Sequence, residues 1–353
     1  TIDSFCIDLV RENFDRLDIS PDFKIGDNSV TESLFDDALD KSMNEAFDSA
    51  DEAFTDLLDK LTTDFDEKNV RDYITKIYFA SQNMPFPSIY IDELINKSVA
   101  DDNFSAMENY AFEYAINIIK KCVFEASAAV EVLLKADENA YNAYAPSLKS
   151  DIQKMGIILT CIQDKNWNES VNLVNAFTAE PLSRAKGTAA SIPASISAKY
   201  IRNRYVSEIK SLSGIFYEER TIAENDLKIG NSLMRELLKL TKKFTEIYDG
   251  LLKEKNVMTF SGTEHAALNL LCENVNGQIV VKERAKDIIA RFDEVLVDEF
   301  QDVNDMQDIL FSVLSQNEKN LFTVGDVKQS IYGFRGSNPN NFLSKKNRYI
   351  PYC

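Results

Sequence analysis

From about residue 31 to residue 255 of this 353-residue chain, apolar positions recur every three to four residues, the spacing of one helix face. Leu34, Ala38, Leu39, Met43 and Phe47 repeat in this way, as do Ile74, Ile77 and Tyr78. So do Tyr110, Tyr114, Ile118 and Ile119, and later Leu233, Leu237, Leu240 and Phe244. Gly and Pro are sparse, and breaks fall near residues 83–87, 101–103, 137–139, 164–168 and 179–193. The pattern predicts eight or more helices without an internal repeat. Residues 186–197, rich in Ala, Ser and Gly, read as a mobile loop that could order on a nucleic acid.

The two ends have another rhythm. The opening residues predict an amphipathic helix to about Arg16, with Phe5, Leu9, Val10 and Phe14 on one side and Asp3 or Ser4 as its cap. Near the other end Val295, Leu296 and Val297 form a short apolar run, expected of a strand buried on both faces in a parallel sheet. Residues 279–291 read as a helix leading into it. A second strand is expected over residues 321–324, and Asn304 should cap a helix to about Ser315 between the two. Such a strand–helix–strand crossover makes the strands parallel.

Asp298 and Glu299 follow the first strand directly. Ligands of open α/β sheets bind just past the carboxyl ends of strands. One acid there can hold Mg²⁺, which takes oxygen ligands and keeps several waters. The other can orient or deprotonate a water for attack on a terminal phosphate. Two acids at a strand end also occur simply to solvate it. The second strand changes the balance, because it leads into Gly325-Asp326-Val327-Lys328-Gln329-Ser330-Ile331-Tyr332-Gly333-Phe334-Arg335-Gly336.

Val297-Asp298-Glu299-Phe300-Gln301-Asp302 followed by this second stretch resembles motifs II and III of the UvrD/Rep-like superfamily 1 DNA helicases. The wording of residues 325–332 is most similar to the AddA branch, the helicase–nuclease subunits of bacterial AddAB complexes. The resemblance implies an α/β plus all-α chain: a partial RecA-like P-loop NTPase domain with a large inserted helical domain. Residues 1–27 and 256–353 would belong to the first RecA-like domain, and 28–255 to an insertion that lies over duplex DNA in this family. By position, Asp298 would hold the Mg²⁺ of Mg–ATP and Glu299 would activate the attacking water. Gln301 and Asp302 would brace the loop, and Gln329 would sense the γ-phosphate. Tyr332 and Phe334 would stack on exposed bases and Arg335 would pair with a phosphate. Both aromatic rings also suit ordinary packing.

Thr1-Ile2-Asp3-Ser4-Phe5-Cys6 is similar to a family motif on the single-stranded DNA path, which adds Ser4 and Phe5 to the DNA-binding candidates. Asp3 stands where that motif has His, and an acid repels a phosphate backbone. Residues 258–267 resemble a second family stretch, with Gly262 in place of an Asp and Ser261 or Thr263 available as the cap. His265 is assigned no chemistry. Gly333 stands where the AddA wording carries Arg.

The formal net charge of −18 argues against a generally basic nucleic-acid binder, although a large enzyme can grip DNA in one groove and remain acidic. Acidic residues outnumber basic ones by more than two to one over residues 31–130. From Arg184 onward basic residues gather: Lys186, Lys199, Arg202, Arg204, Lys210, then Lys239, Lys242 and Lys243. They form a solvated helix face or, if any surface here tracks phosphates, that surface. Five scattered cysteines and one histidine disfavour a zinc site or a disulfide framework and fit a reducing cytosol, which the resemblance implies is bacterial. No apolar stretch is long enough to span a bilayer.

The chain holds no Gly-x-x-x-x-Gly-Lys-Ser/Thr loop and starts at Thr1, so it reads as a piece of a longer motor that should not turn over ATP unaided. The resemblance implies ATP as substrate and an AddB-like subunit together with single- and double-stranded DNA as partners. It also implies end processing for recombinational repair, with an exonuclease in the longer protein. Two alternatives stay open: a stand-alone UvrD/Rep-type helicase without nuclease, and a non-catalytic helicase-like scaffold that binds DNA or a partner.

Overall fold

The computed structural model describes residues 1–49, 51–62, 67–98, 103–330 and 336–349. The chain is mostly helical, with a few short strands, and folds as two compact units. One comprises residues 1–99 and 232–353, the other residues 100–231.

In the first unit the chain begins with α1 (Ile2–Glu12), followed by β1 (Lys24–Ile25). The Thr1 hydroxyl, not Asp3 or Ser4, caps α1, because the helix already starts at Ile2. It also ends earlier than expected, at Glu12, and Phe14–Arg16 continue as a 3₁₀ turn. Four helices follow: α2 (Asn28–Ser49), α3 (Glu52–Leu61), α4 (Lys68–Ser81) and α5 (Pro87–Lys97). The second unit contributes α6 (Asn103–Ala136), α7 (Glu138–Gln163), α8 (Trp167–Asn175) and α9 (Pro193–Ser211). The long α10 (Arg220–Glu254) begins in the second unit and ends in the first, so the helices between residues 28 and 254 are shared by both.

The chain then forms β2 (Val257–Met258), which pairs in parallel with β1, Lys24 opposite Val257 and Ile25 opposite Met258. The segment from 26 to 256 thus leaves and returns side by side. Next come α11 (Phe260–Leu271) and an antiparallel hairpin of β3 (Cys272–Val275) and β4 (Gln278–Val281). Residues 279–291 are therefore not one helix. They hold most of β4, a 3₁₀ turn and the single turn α12 (Lys286–Ile289). The hairpin forms because Asn276 and Gly277 both take positive φ, 53° and 84°, the two-residue turn that matches strand twist.

The last part is β5 (Val295–Val297), α13 (Asp305–Leu314), β6 (Leu321–Thr323) and α14 (Pro339–Arg348). β5 and β6 pair in parallel, Leu296 opposite Phe322. Only one face of this pair is covered. Leu296 and Phe322 keep 68% and 60% of their surface exposed, contrary to the expectation of two-sided burial. Among the described residues no third strand joins β5 and β6 and no helix packs over these two side chains.

Among the described residues three apolar cores hold the units. In the first unit Leu9 and Val10 of α1 meet Leu268 and Leu271 of α11 and Met306 and Leu310 of α13. A second core there joins Leu39, Met43, Leu57 and Ile74 to Leu237 and Phe244 of α10. The second unit is built on α6, α7 and α9 around Leu133, Leu148, Tyr205 and Phe216, with Trp167 packed among Phe104, Phe112 and Phe216. Residues 186–197 belong to this packing: Ala189 is buried, Ser195 donates to the Ala189 carbonyl at 2.6 Å, and α9 starts at Pro193. The expected loop is a folded segment. No helix among the described residues is long and apolar enough to cross a membrane.

Candidate active site

β5 ends at Val297, and the chain turns sharply at Glu299, whose φ of 51° and ψ of 41° are left-handed. A non-glycine residue there is disfavoured by about 1–2 kcal/mol, so the surroundings must impose the conformation. Two hydrogen bonds and one buried ring do so. The Glu299 amide donates to Asp298 Oδ1 at 2.8 Å, the Phe300 amide donates to the Val324 carbonyl at 2.8 Å, and Phe300 is fully buried. Asp298 and Glu299 are both exposed beyond the strand end, where the sequence puts them.

Gln301 is the buried member of this turn, 1% exposed. Its Nε2 donates to Glu299 Oε2 at 2.6 Å, and its Oε1 accepts from the Asp326 amide at 2.9 Å. A backbone amide can only donate, so the Gln301 oxygen must face Asp326 and its NH₂ must face the carboxylate. Gly325 makes the approach possible. A Cβ there would lie 2.5 Å from Gln301 Oε1 and 3.1 Å from the Phe300 nitrogen.

The loop after β6 is a 3₁₀ turn, Val327–Gln329, with Asp326 accepting from the Lys328 amide at 3.0 Å. Gln329 is exposed, and its Nε2 lies 3.2 Å from Asp326 Oδ2. Glu299 and the loop carrying Gln329 are therefore brought together through Gln301. Tyr332, Phe334 and Arg335 lie outside the described residues. Ser4 is exposed on α1. Phe5 is half-buried and meets Phe292 edge-on at 5.8 Å, at the opposite end of β5 from Asp298.

α13 is fixed beside the turn by the expected cap, elaborated into a reciprocal pair: Asn304 accepts from the Gln307 amide and Gln307 accepts from the Asn304 amide. Gln307 also donates to Glu264 at 2.8 Å, and burial pushes that carboxyl up to about 7. α14 is held by Lys345, whose side chain is 1% exposed. Its ammonium pairs with Asp308 at 2.8 Å and with Glu318, and lies 5.4 Å from the Phe300 ring centroid. Neither Lys345 nor the tight approach at Gly325 carries a local sequence signal. Both depend on contacts between segments distant in sequence.

His265 is half-buried and structural: its Nε2 lies 3.0 Å from the Met84 carbonyl, which ties α11 to the segment after α4. Burial lowers its pKa. The start of α11 is capped by Thr259, whose hydroxyl accepts from the Gly262 amide at 2.9 Å. Neither Ser261 nor Thr263 serves, and glycine at 262 costs the helix no cap. A cavity of about 640 Å³ in the first unit, lined by Phe23, Phe86, Asp249 and His265 among others, does not include Asp298 or Glu299.

Much of the basic half is internally paired. Arg202 donates to the Glu180 carbonyl, Arg204 pairs with Glu125, Lys242 with Asp92 and Lys243 with Glu45. These side chains are less available to phosphates than the sequence suggests.

The UvrD/REP helicase N-terminal domain family matches residues 1–350. The chain belongs to that family. The A subunit of an ATP-dependent helicase/nuclease from Clostridioides difficile (strain 630) is 28% identical over 99% of this chain and 28% of its own length. Proteins of the same name from Exiguobacterium sibiricum and Thermoanaerobacter sp. (strain X514) are each 30% identical over 99% of this chain and 29% of their own length. The chain thus spans less than a third of these relatives.

Nucleotide phosphates are commonly bound together with Mg²⁺, and the donor set here is small. Among the described residues no group of three or more His, Cys, Asp or Glu could hold a metal. Two exposed carboxylates side by side, each oriented by one hydrogen bond, still fit Mg²⁺, which is held by one or two carboxylates plus substrate phosphates and waters.

Proposed function

We propose that the protein containing this chain is an ATP-dependent DNA helicase of the AddA type, acting with an AddB-like subunit in the bacterial cytoplasm to unwind and process double-stranded DNA ends for recombinational repair. The observation that carries this reading is the joined pair of loops: Asp298 and Glu299 past β5, tied through Gln301 to the loop bearing Gln329 past β6. The helicase/nuclease names of the relatives favour it over a stand-alone helicase. The segments 1–27 and 256–353 would form part of the motor domain and 28–255 its helical insertion.

Mg²⁺, held by Asp298, would neutralise charge on the ATP phosphates. Glu299 orients the attacking water and takes its proton, its carboxylate held by the Gln301 amide. Gln329, exposed on its turn, reaches the γ-phosphate with its side-chain amide. Tyr332 and Phe334 stack on bases of a single strand, and Arg335 and Ser4 contact its backbone. Phe5, half-buried, supports that helix by packing against the core. The chain alone, without a phosphate-cradling glycine loop, does not turn over ATP.

The test is ATP hydrolysis by the full-length protein with its partner, with and without single-stranded DNA. DNA-dependent turnover is expected, falling at least a hundredfold in Glu299→Gln with the fold intact. A folded parent that hydrolyses no ATP on DNA would leave the scaffold reading in its place.

A further inference from the structure

We infer that Gln301 is a positioning residue that couples the catalytic carboxylate to the DNA-side loop: one buried amide holds Glu299 with its NH₂ and the 325–329 loop with its oxygen. This rests on the ATPase reading above and adds to it a link between the two loops.

The geometry leaves the amide little freedom. Gln301 is 1% exposed, so neither contact is readily replaced by water. Its NH₂ is 2.6 Å from Glu299 Oε2 and its oxygen 2.9 Å from the Asp326 nitrogen. Its backbone carbonyl accepts from the Ser330 hydroxyl at 3.4 Å, a third tie to the same loop. Gly325 presses on the amide from the loop side, leaving no room for a methyl group. A displacement of Asp326 therefore moves the Gln301 amide, and the amide carries the Glu299 carboxylate with it. Misplacing a general base by 1 Å can cost about a hundredfold in rate. The 326–329 turn also carries Gln329 and runs into the residues assigned to DNA. A shift of that loop when a strand binds would thus reach Glu299 through one side chain.

Three substitutions separate the two bonds. Gln301→Met keeps the length and removes both. Gln301→Glu keeps an acceptor for the Asp326 amide and loses the donor to Glu299. Gly325→Ala leaves Gln301 unchanged and pushes its amide away. Each is made in the full-length protein with its partner. kcat and KM for ATP are measured with and without saturating single-stranded DNA, and amide exchange is followed over residues 325–330. The expected result is a DNA-stimulated kcat at least tenfold lower in all three, a stimulation ratio falling towards one, and KM for ATP within threefold of the parent. Exchange at Asp326 should accelerate in Gln301→Met and Gly325→Ala but not in Gln301→Glu. A residue that only stabilised the fold would lower both rates together and leave their ratio alone, and that outcome overturns the inference. So does a stimulation ratio preserved in Gly325→Ala. A parent protein without DNA-stimulated turnover would instead overturn the underlying ATPase reading, and the inference with it.

Discussion

Tyr205 donates its phenol proton to Asp151 at 2.6 Å, and neither side chain reaches solvent. Asp151 uses its other oxygen to accept from the Glu180 amide at 2.7 Å, and Arg202 stands 3.8 Å away. The pair fastens α7 to α9 and to the segment between them. Tyr205→Phe deletes one bond to a buried carboxylate and should cost about 1.5–3 kcal/mol. Hydrogen exchange on the whole chain should show faster amide exchange across α7 and α9 while α11 and α13 are unchanged.

Glu264 links stability to pH. An unfolded glutamate ionises near 4.5 and the folded one near 7, chiefly because burial disfavours the charge and secondarily through Asp3. Between these values the folded state keeps a proton that the unfolded state releases, so stability falls as pH rises. At ~1.4 kcal/mol per unit the loss from this site approaches about 3 kcal/mol by pH 8. Glu264→Gln should therefore match the parent in melting temperature at pH 4.5 and exceed it at pH 8. His265 acts in the opposite sense. Its lowered pKa makes the folded state resist protonation, so stability falls as pH drops below 6.5.

Lys345 is buried between two acids, and removing it leaves Asp308 without its cation while Glu318 keeps Arg348 at 3.1 Å. Lys345→Met should destabilise the first unit by about 3 kcal/mol, because an uncompensated buried charge costs more than the pair contributes. Adding Asp308→Asn and Glu318→Gln should restore part of that loss in thermal denaturation. If the single variant melts with the parent, the ammonium is not the anchor of α14.

The reciprocal cap at Asn304 gives a smaller prediction. Asn304→Ala removes the acceptor for the Gln307 amide and should cost about 1 kcal/mol, read from urea denaturation. Gln307→Ala should cost a similar amount and also take from Glu264 the donor that Gln307 supplies.

What the sequence reveals and what it hides divide along local and non-local lines. β5, α13 and β6 are readable because each is marked by its own residues: two apolar runs and an Asn-x-x-Gln cap. The β3–β4 hairpin is marked too, by Asn276-Gly277, but the apolar residues 279–281 that follow also fit the start of a helix face. The caps fall at Thr1 and Thr259, two or more residues before the expected positions, because several hydroxyls and acids stand near each helix start. One-sided exposure of Leu296 cannot be seen in a three-residue apolar run. Within the site, Asp298, Glu299 and Gln329 stand out as residue types in a family wording. The steric demand on position 325 and the burial of Lys345 emerge only when segments some twenty-five residues apart meet.

The left-handed backbone at Glu299 sets stabilisation against turnover. Glycine is the residue most at ease in that conformation, and Glu299→Gly would relieve about 1–2 kcal/mol of backbone strain. A campaign that ranks variants by heat resistance would be drawn to this position, and on the role proposed here it would select a protein that no longer hydrolyses ATP.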